Sequence, residues 1–185
     1  MNKPFQLAHS STRATFTTAE YLRMGASGAF DDMKIELIDG ELERMSPPLG
    51  GHAARHSEVG GLLWQVARAA GLFSLIEMGV RIDDTSVLVC DIALARCAID
   101  EDGLADPGTL LLVVEIAATT LVRDMGLKRA AYAGAEIPEY WVVDSKRSVV
   151  HVHREPIDGD YAFISTVRFG EPLAVPGTGE TIIIA

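Results

Sequence analysis

The chain has 185 residues, of which 48% are hydrophobic and 23% are charged, and its formal net charge is −10. This composition is typical of one folded domain with a full hydrophobic core, so it excludes disorder as the main state. No apolar run approaches the roughly 18 residues of a membrane span, and residues 1–16 lack the apolar core of a signal peptide. The two cysteines do not make a disulfide framework, and we expect a cytoplasmic protein without a membrane partner.

The negative charge argues against tight binding along an extended nucleic acid, because phosphate contacts dominate that affinity. The acidic residues are unevenly distributed, since residues 77–106 contain eight acidic and two basic side chains. Divalent cations can offset such a local excess. The distribution therefore weakens the objection without removing it.

The elements up to residue 70 are two helices separated by a hairpin. Residues 1–15 show no regular pattern, and we expect a loose tail followed by a single domain over residues 16–185. The pattern Thr17–Glu20 is typical of a capping box and begins a short helix. Asp39-Gly40 between two alternating stretches predicts a hairpin, and apolar residues at helical spacing predict a helix over residues 52–70.

The rest of the chain is dominated by strands and holds one further helix. Thr119-Thr120 can cap a helix over residues 121–133, which Gly134 ends. The predicted strands are residues 73–82, 87–95, 110–116, 138–144, 148–154 and 161–168, with residues 180–184 closing an edge. Helices and strands in this order predict an α/β or α+β domain with a mixed central sheet.

Two carboxylates interrupt the most apolar strands. Asp91 and Glu115 each lie inside such a run, and Lys128 follows on the next helix. A lone carboxylate on a buried strand usually neutralises, pairs or binds a metal, because burying its charge is unfavourable. Mg²⁺ prefers one or two carboxylates plus water, and a positive group beside the attacked phosphate stabilises developing charge. The set suggests metal-assisted phosphodiester cleavage, and Glu36 adds a third carboxylate on a strand.

Each of these residues also has an ordinary structural interpretation. Asp91 and Glu115 can form ion pairs at the end of the sheet, and composition alone does not choose between such pairs and a metal site. The basic residues considered as partners are Arg81, Arg96 and Lys128. Lys128 follows Asp124 by four residues, the spacing of a helix ion pair, and Glu36 can be solvated on its strand.

Two pairs of histidines have spacings that could carry a function. His52 and His56 have the i,i+4 spacing of a metal pair, but residue 53 is Ala where an H-E-x-x-H motif has Glu. A surface or substrate-facing role is therefore favoured over a zinc site. His151 and His153 share one strand face, and we expect both to be solvated.

Seven stretches of the chain, in a fixed order, resemble one protein family. They are residues 16–22, 35–42, 45–48 with His52, 90–94, 112–116, Arg123-Asp124 with Lys128 and Tyr132-Ala133, and residues 137–144. From Phe16 onward, the ordered set is similar to the Uma-type (Uma-two) family of restriction endonucleases in the PD-(D/E)XK nuclease superfamily.

The resemblance implies a restriction-endonuclease-like fold, in which helices flank a mixed central sheet. It also implies that Asp91 and Glu115 are the acidic motif residues that bind the metal, and that Glu36 is an accessory ligand or holds water. In this family the lysine does not lie two residues after the glutamate, where this chain has Ala117. The resemblance assigns the role of that lysine to Lys128 on the following helix.

The expected function is a Mg²⁺- or Mn²⁺-dependent endonuclease that hydrolyses phosphodiester bonds in DNA, and a homodimer is expected because such folds often cut duplexes as dimers. Two alternatives stay open. One is a catalytically weak or inactive, dimeric binding or regulatory module on the nuclease fold, which the net charge of −10 favours. The other is a metal-dependent hydrolase of a small phosphorylated substrate, which suits a narrow acidic site.

Overall fold

The computed structural model describes residues 14–117 and 119–185. The loose tail expected at residues 1–15 therefore lies outside the described residues except for its last two. Within the described ranges, no helix is both long and apolar enough to cross a membrane.

The helices agree with the predicted ones to within a few residues. The helical segments are α1 (Thr18–Ala26), α2 (Gly50–Ala69), α3 (Leu121–Arg123), a π-helical turn (Asp124–Lys128) and α4 (Arg129–Gly134). The predicted capping box is present, because Glu20 N–H donates to Thr17 Oγ1 (3.3 Å) and Thr17 N–H donates to Glu20 Oε2 (2.9 Å). The regular helix predicted over residues 121–133 is wrong in one respect, since the π-helical turn interrupts it.

The strands also follow the predicted order. Those in the described residues are β1 (Ile35–Ile38), β2 (Glu41–Arg44), β3 (Phe73–Arg81), β4 (Val87–Ala95), β5 (Leu110–Ala117), β6 (Glu139–Asp144), β7 (Val149–Ile157), β8 (Asp160–Arg168), β9 (Leu173–Ala174) and β10 (Thr181–Ile182). A short 3₁₀ turn, Pro107–Thr109, leads into β5.

Strands β1 to β8 form one sheet in the order β2-β1-β4-β5-β6-β7-β8, with β3 paired to β4. Within it β5 and β6 run parallel, whereas its other pairs are antiparallel, so the predicted mixed central sheet is confirmed. The expectation that the last strand closes an edge of this sheet is wrong. Strand β10 pairs with β9 in a separate two-stranded sheet, and Ile182 and Ile184 are buried in the core cluster that also contains residues of α2.

The sheet is covered on both faces. On one face the core contains Val59 and Leu63 of α2, and on the other it contains Tyr132 of α4 and Ile137. Every residue of β5 and β6 is buried as a result. A strand covered on both sides has a continuous apolar sequence, which explains the long apolar run around Glu115.

His153 was expected to be solvated, and this is wrong, because its exposed fraction is 0%. Its ring lies between Tyr140 and Tyr161, with centroid distances of 5.5 Å and 5.9 Å. Its Nδ1 lies 3.2 Å from Tyr140 O. Strand β7 is an inner strand, and α4 packs against the face that carries His153.

Candidate active site

A cavity of about 260 Å³ lies where β1, β4 and β5 meet α2 and the π-helical turn. All four residues predicted for catalysis line it, namely Glu36, Asp91, Glu115 and Lys128. They come from three strands and one helical turn that are far apart in the sequence. The fold therefore brings together the whole predicted set.

Asp91 and Glu115 lie beside each other on β4 and β5. These strands are antiparallel, and the register that pairs Ile92 with Val114 reaches Asp91 and Glu115 one step further along. Ile116 N–H donates to Asp91 Oδ2 at 2.6 Å, which links the two strands at this point. Both carboxylates are thus held on adjacent strands of the sheet and not on a loop.

Lys128 is buried, and its ammonium group has three protein acceptors. Its Nζ lies 2.8 Å from Glu115 Oε1, 3.1 Å from Glu36 Oε1 and 2.8 Å from Val89 O. In the described part of the chain, no ion pair joins it to Asp124, the partner that helical spacing suggested. Lys128 therefore bridges two acidic residues from different strands.

The π-helical turn carries two residues of the cavity, one at each of its ends. Such turns are often found at functional sites. Asp124 and Lys128, its first and last residues, are both buried and both line the cavity. Asp124 Oδ2 accepts a hydrogen bond from Thr120 Oγ1 at 2.6 Å, and Asp124 O accepts one from Tyr140 OH at 3.1 Å. These contacts fix the segment that carries Lys128.

Glu36 is not solvated on its strand, which was one expectation for it, because its side chain is 0% exposed. Its Oε1 accepts a hydrogen bond from Val89 N–H at 2.9 Å, and Arg123 Nη2 donates to its Oε2. Arg123 Nη2 also lies 3.2 Å from Glu43 Oε2. Glu36 is therefore held between two cationic side chains that come from one helical segment.

The partner of Asp91 is a histidine of α2. His52 Nε2 lies 3.4 Å from Asp91 Oδ1, and His56 Nε2 lies 2.8 Å from Asp91 O. The two imidazoles face different atoms of Asp91, and their centroids are 6.0 Å apart. Of the arginines considered as partners for Asp91, Arg81 pairs with Asp84 instead. His52 also lines the cavity, as a substrate-facing residue would. That role itself stays a prediction.

The pKa values at the site follow from burial and from these contacts. Burial raises the pKa of Glu115 to about 8, and Lys128 offsets only part of that effect. Burial also raises the pKa of Asp124. Burial disfavours the charged form of Lys128, but attraction by Glu115 and Glu36 outweighs it, so the pKa of Lys128 is raised. For Asp91, hydrogen bonds from the histidine and from a backbone N–H outweigh burial and lower the pKa.

The floor of the cavity carries more negative than positive charge. The acidic residues are Glu36, Asp91, Glu115 and Asp124, and the permanent cations are Lys128 and Arg123. When all four acids are ionised, they exceed these cations by two charges, which one divalent cation neutralises, and carboxylate oxygens suit Mg²⁺ or Mn²⁺. In the described ranges, no three His, Cys, Asp or Glu side chains form a ready-made metal site. Two carboxylates plus water, which Mg²⁺ prefers, fit the residues present.

Several residues of the site were not identified from the sequence. Arg123 and Asp124 line the cavity, and Tyr132 OH donates to Glu115 Oε1 at 2.9 Å. One signal was available, because Asp124, Lys128 and Tyr132 are spaced by four residues and so share one helix face.

Comparison with known proteins identifies the family to which the chain belongs. The model of the Uma2 family, described as "Putative restriction endonuclease", matches residues 18–183. The chain is also similar to a solved structure from Anabaena variabilis, described as "a putative nuclease belonging to DUF820". The TM-score is 0.61 and the identity 21%, over 85% of this chain and 90% of that chain, which shows a shared fold. The comparison with curated proteins found no match. Because the family model covers most of the sequence, the chain belongs to the Uma2 family.

Proposed function

We propose that the protein is a metal-dependent endonuclease that hydrolyses phosphodiester bonds in DNA. The observation that carries the proposal is the meeting of Glu36, Asp91, Glu115 and Lys128 in one cavity. Hydrogen bonds across the sheet hold the set, and its net negative charge calls for a cation. The description of the family as a restriction endonuclease supports DNA as the substrate.

Asp91 and Glu115 would hold a Mg²⁺ or Mn²⁺ ion at the floor of the cavity. When bound there, such an ion supplies positive charge beside the scissile phosphate and lowers the pKa of a water molecule. Asp91 is ready for this role, since its pKa is lowered and its side chain is 18% exposed. Glu115 is protonated below its pKa of about 8 in the absence of a cation, and metal binding would favour its ionised form.

Lys128 would contribute a permanent positive charge next to the two acids. That charge stabilises the negative charge that develops on the attacked phosphate. Its three N–H groups already have protein acceptors, so Lys128 can orient an attacking water only after one of these contacts opens. Glu36, which contacts Lys128 and Arg123, would hold both cations in place.

The rim of the cavity offers one further cation for a phosphate group. Arg44 lines the cavity and is exposed, and among the described residues its side chain has no ion pair. Lys34 at the same rim pairs with Glu77. Arg44 is therefore free to meet a substrate phosphate, which limits the objection that the net charge of −10 raises against nucleic acid.

The proposal is tested by incubating the purified protein with single- and double-stranded DNA and RNA in Mg²⁺ or Mn²⁺. We expect metal-dependent cleavage that disappears in EDTA and in Asp91→Ala, because Asp91 is a proposed metal ligand. Asp100→Ala serves as the control, since Asp100 is an exposed acid outside the cavity and its loss should leave cleavage unchanged. Failure of the wild-type protein to cleave any of these substrates with either metal would contradict the proposal.

A catalytically inactive binding module on the same fold is the second candidate. Two observations favour it, namely the net charge of −10 and the full set of protein acceptors around Lys128. Calorimetric titration with Mn²⁺ separates the two candidates. A nuclease should bind the ion through Asp91 and lose it in Asp91→Ala, whereas a module without a metal site should show no binding heat.

A further inference from the structure

Tyr132, on α4, is a buried tyrosine whose hydroxyl reaches the candidate metal site. Its OH donates to Glu115 Oε1 at 2.9 Å, and Lys128 Nζ donates to the same oxygen at 2.8 Å. Tyr132 and Lys128 are four residues apart, so their side chains lie on one face of the helical segment. This segment therefore supplies two donors to a single carboxylate oxygen.

The two donors decide which oxygen of Glu115 is left for a cation. A carboxylate has about two lone-pair positions on each oxygen, so Oε1 is fully used and Oε2 is the oxygen available. Lys128 is also held by Glu36 and Val89. The Tyr132 hydroxyl, in contrast, has Glu115 as its hydrogen-bond partner in the described part of the chain. Removing that hydroxyl would leave Glu115 Oε1 held by Lys128 alone, while Lys128 keeps its contacts with Glu36 and Val89.

Packing alone does not explain a tyrosine at this position. The side chain is 0% exposed, and its ring lies 5.1 Å from that of Tyr140, a neighbour that a phenylalanine would meet equally well. A buried hydroxyl is unfavourable unless it forms a hydrogen bond, and the bond here is to Glu115. Burial also raises the pKa of Tyr132 well above its ordinary value, so the hydroxyl stays a neutral donor.

We propose that Tyr132 is a positioning residue that orients the Glu115 carboxylate for metal binding. The inference rests on the proposed metal site at Asp91 and Glu115. Groups that orient a metal ligand typically contribute about 10- to 100-fold to metal affinity or activity. Tyr132→Phe should therefore weaken Mn²⁺ binding by about that factor and leave the fold intact.

Tyr161 provides a matched control. It is also a buried tyrosine, with an exposed fraction of 4%, and its OH donates to Ile137 O at 3.0 Å. Tyr161→Phe removes the same chemical group and one buried hydrogen bond, but the residue does not line the cavity. A purely structural role for Tyr132 would make the two variants behave alike.

The test is calorimetric titration of the wild type, Tyr132→Phe and Tyr161→Phe with Mn²⁺, together with thermal unfolding of each without metal. We expect a Kd for Mn²⁺ that rises about 10- to 100-fold in Tyr132→Phe and less than about twofold in Tyr161→Phe, with similar losses in Tm. A Tyr132→Phe variant that binds Mn²⁺ like the wild type overturns this inference alone. A wild type that binds no Mn²⁺ overturns the metal site itself, and the role of Tyr132 with it.

Discussion

Glu115 on β5 and Glu139 on β6 are buried carboxylates on neighbouring parallel strands, yet their surroundings differ. Glu139 Oε2 lies 3.0 Å from Arg154 Nε, and Glu139 Oε1 accepts a hydrogen bond from Trp141 Nε1 at 2.6 Å. One arginine and one indole thus satisfy this acid. Glu139, the first residue of β6, therefore forms an ordinary structural ion pair with Arg154.

Glu115 belongs instead to a group in which four carboxylates share two permanent cations. Burial and the charges of Asp91 and Asp124 raise its pKa to about 8, and Lys128 offsets only part of that rise. The comparison shows that a buried acid on a strand does not by itself indicate a functional site. The excess of acids over cations, in a cavity that opens to solvent, is what distinguishes Glu115 from Glu139.

The largest expected difference between the two acids is in catalysis. Glu115→Gln should reduce Mg²⁺-dependent DNA cleavage to the level of a sample without enzyme, because a proposed metal ligand is lost. Glu139→Gln should keep the activity of its folded fraction and cost about 1–3 kcal/mol of stability through its weakened hydrogen bonds. Cleavage rates and urea unfolding of both variants check this, and equal losses of activity would contradict the distinction.

The cations of the two regions should differ in their effect on stability. Lys128→Met leaves Glu115 without its counter-charge and Glu36 with Arg123 alone, and it should lower the free energy of unfolding by about 3–5 kcal/mol. Arg154→Met should lower it by less than about 1 kcal/mol, since Arg154 has a side chain that is 42% exposed. Urea denaturation measures both. Adding Glu115→Gln to Lys128→Met should recover part of the loss, and no recovery would mean that Lys128 acts mainly through Glu36.

A further expected difference is a pH dependence of stability that Glu115 should produce. Its pKa is raised in the folded state, so its contribution to stability is fully present below its ordinary pKa and is lost as the pH rises toward about 8. Metal-free wild-type protein should lose up to about 1.4 kcal/mol per pH unit through this group. Glu115→Gln should remove that component.

Urea unfolding in EDTA between about pH 5 and pH 8 measures the difference between the two profiles. Mg²⁺ should reduce the slope in the wild type and not in Glu115→Gln, because a bound cation favours the ionised carboxylate. If the profiles of the wild type and Glu115→Gln are parallel in EDTA, Glu115 is ionised throughout this pH range. The excess of acidic residues in the cavity would then have no effect on the protonation of Glu115.

Local patterns predicted most of the fold, because they report local physics. The apolar runs around Asp91 and Glu115 predicted β4 and β5 correctly, since strands covered on both faces need apolar residues throughout. The π-helical turn had no comparable signal, because the periodicity of residues 121–133 is compatible with a regular helix. The burial of His153 was also missed, since it depends on α4 covering that face of the sheet.

The four residues predicted for the site lie in one cavity, but their contacts and the further residues Arg123, Asp124 and Tyr132 were not predicted. The sequence determined which charged groups the chain contains and, through the family resemblance, which of them belong together. Only the tertiary structure decided that Lys128 joins Glu36 to Glu115, that Arg123 reaches Glu36 across 87 positions of the sequence, and that Tyr132 contacts Glu115. Helical and strand periodicities relate residues only a few positions apart, whereas Coulomb and hydrogen-bond energies depend on distances in space. Those distances follow from the sheet register and from the path of the helical segment, which no local pattern specifies.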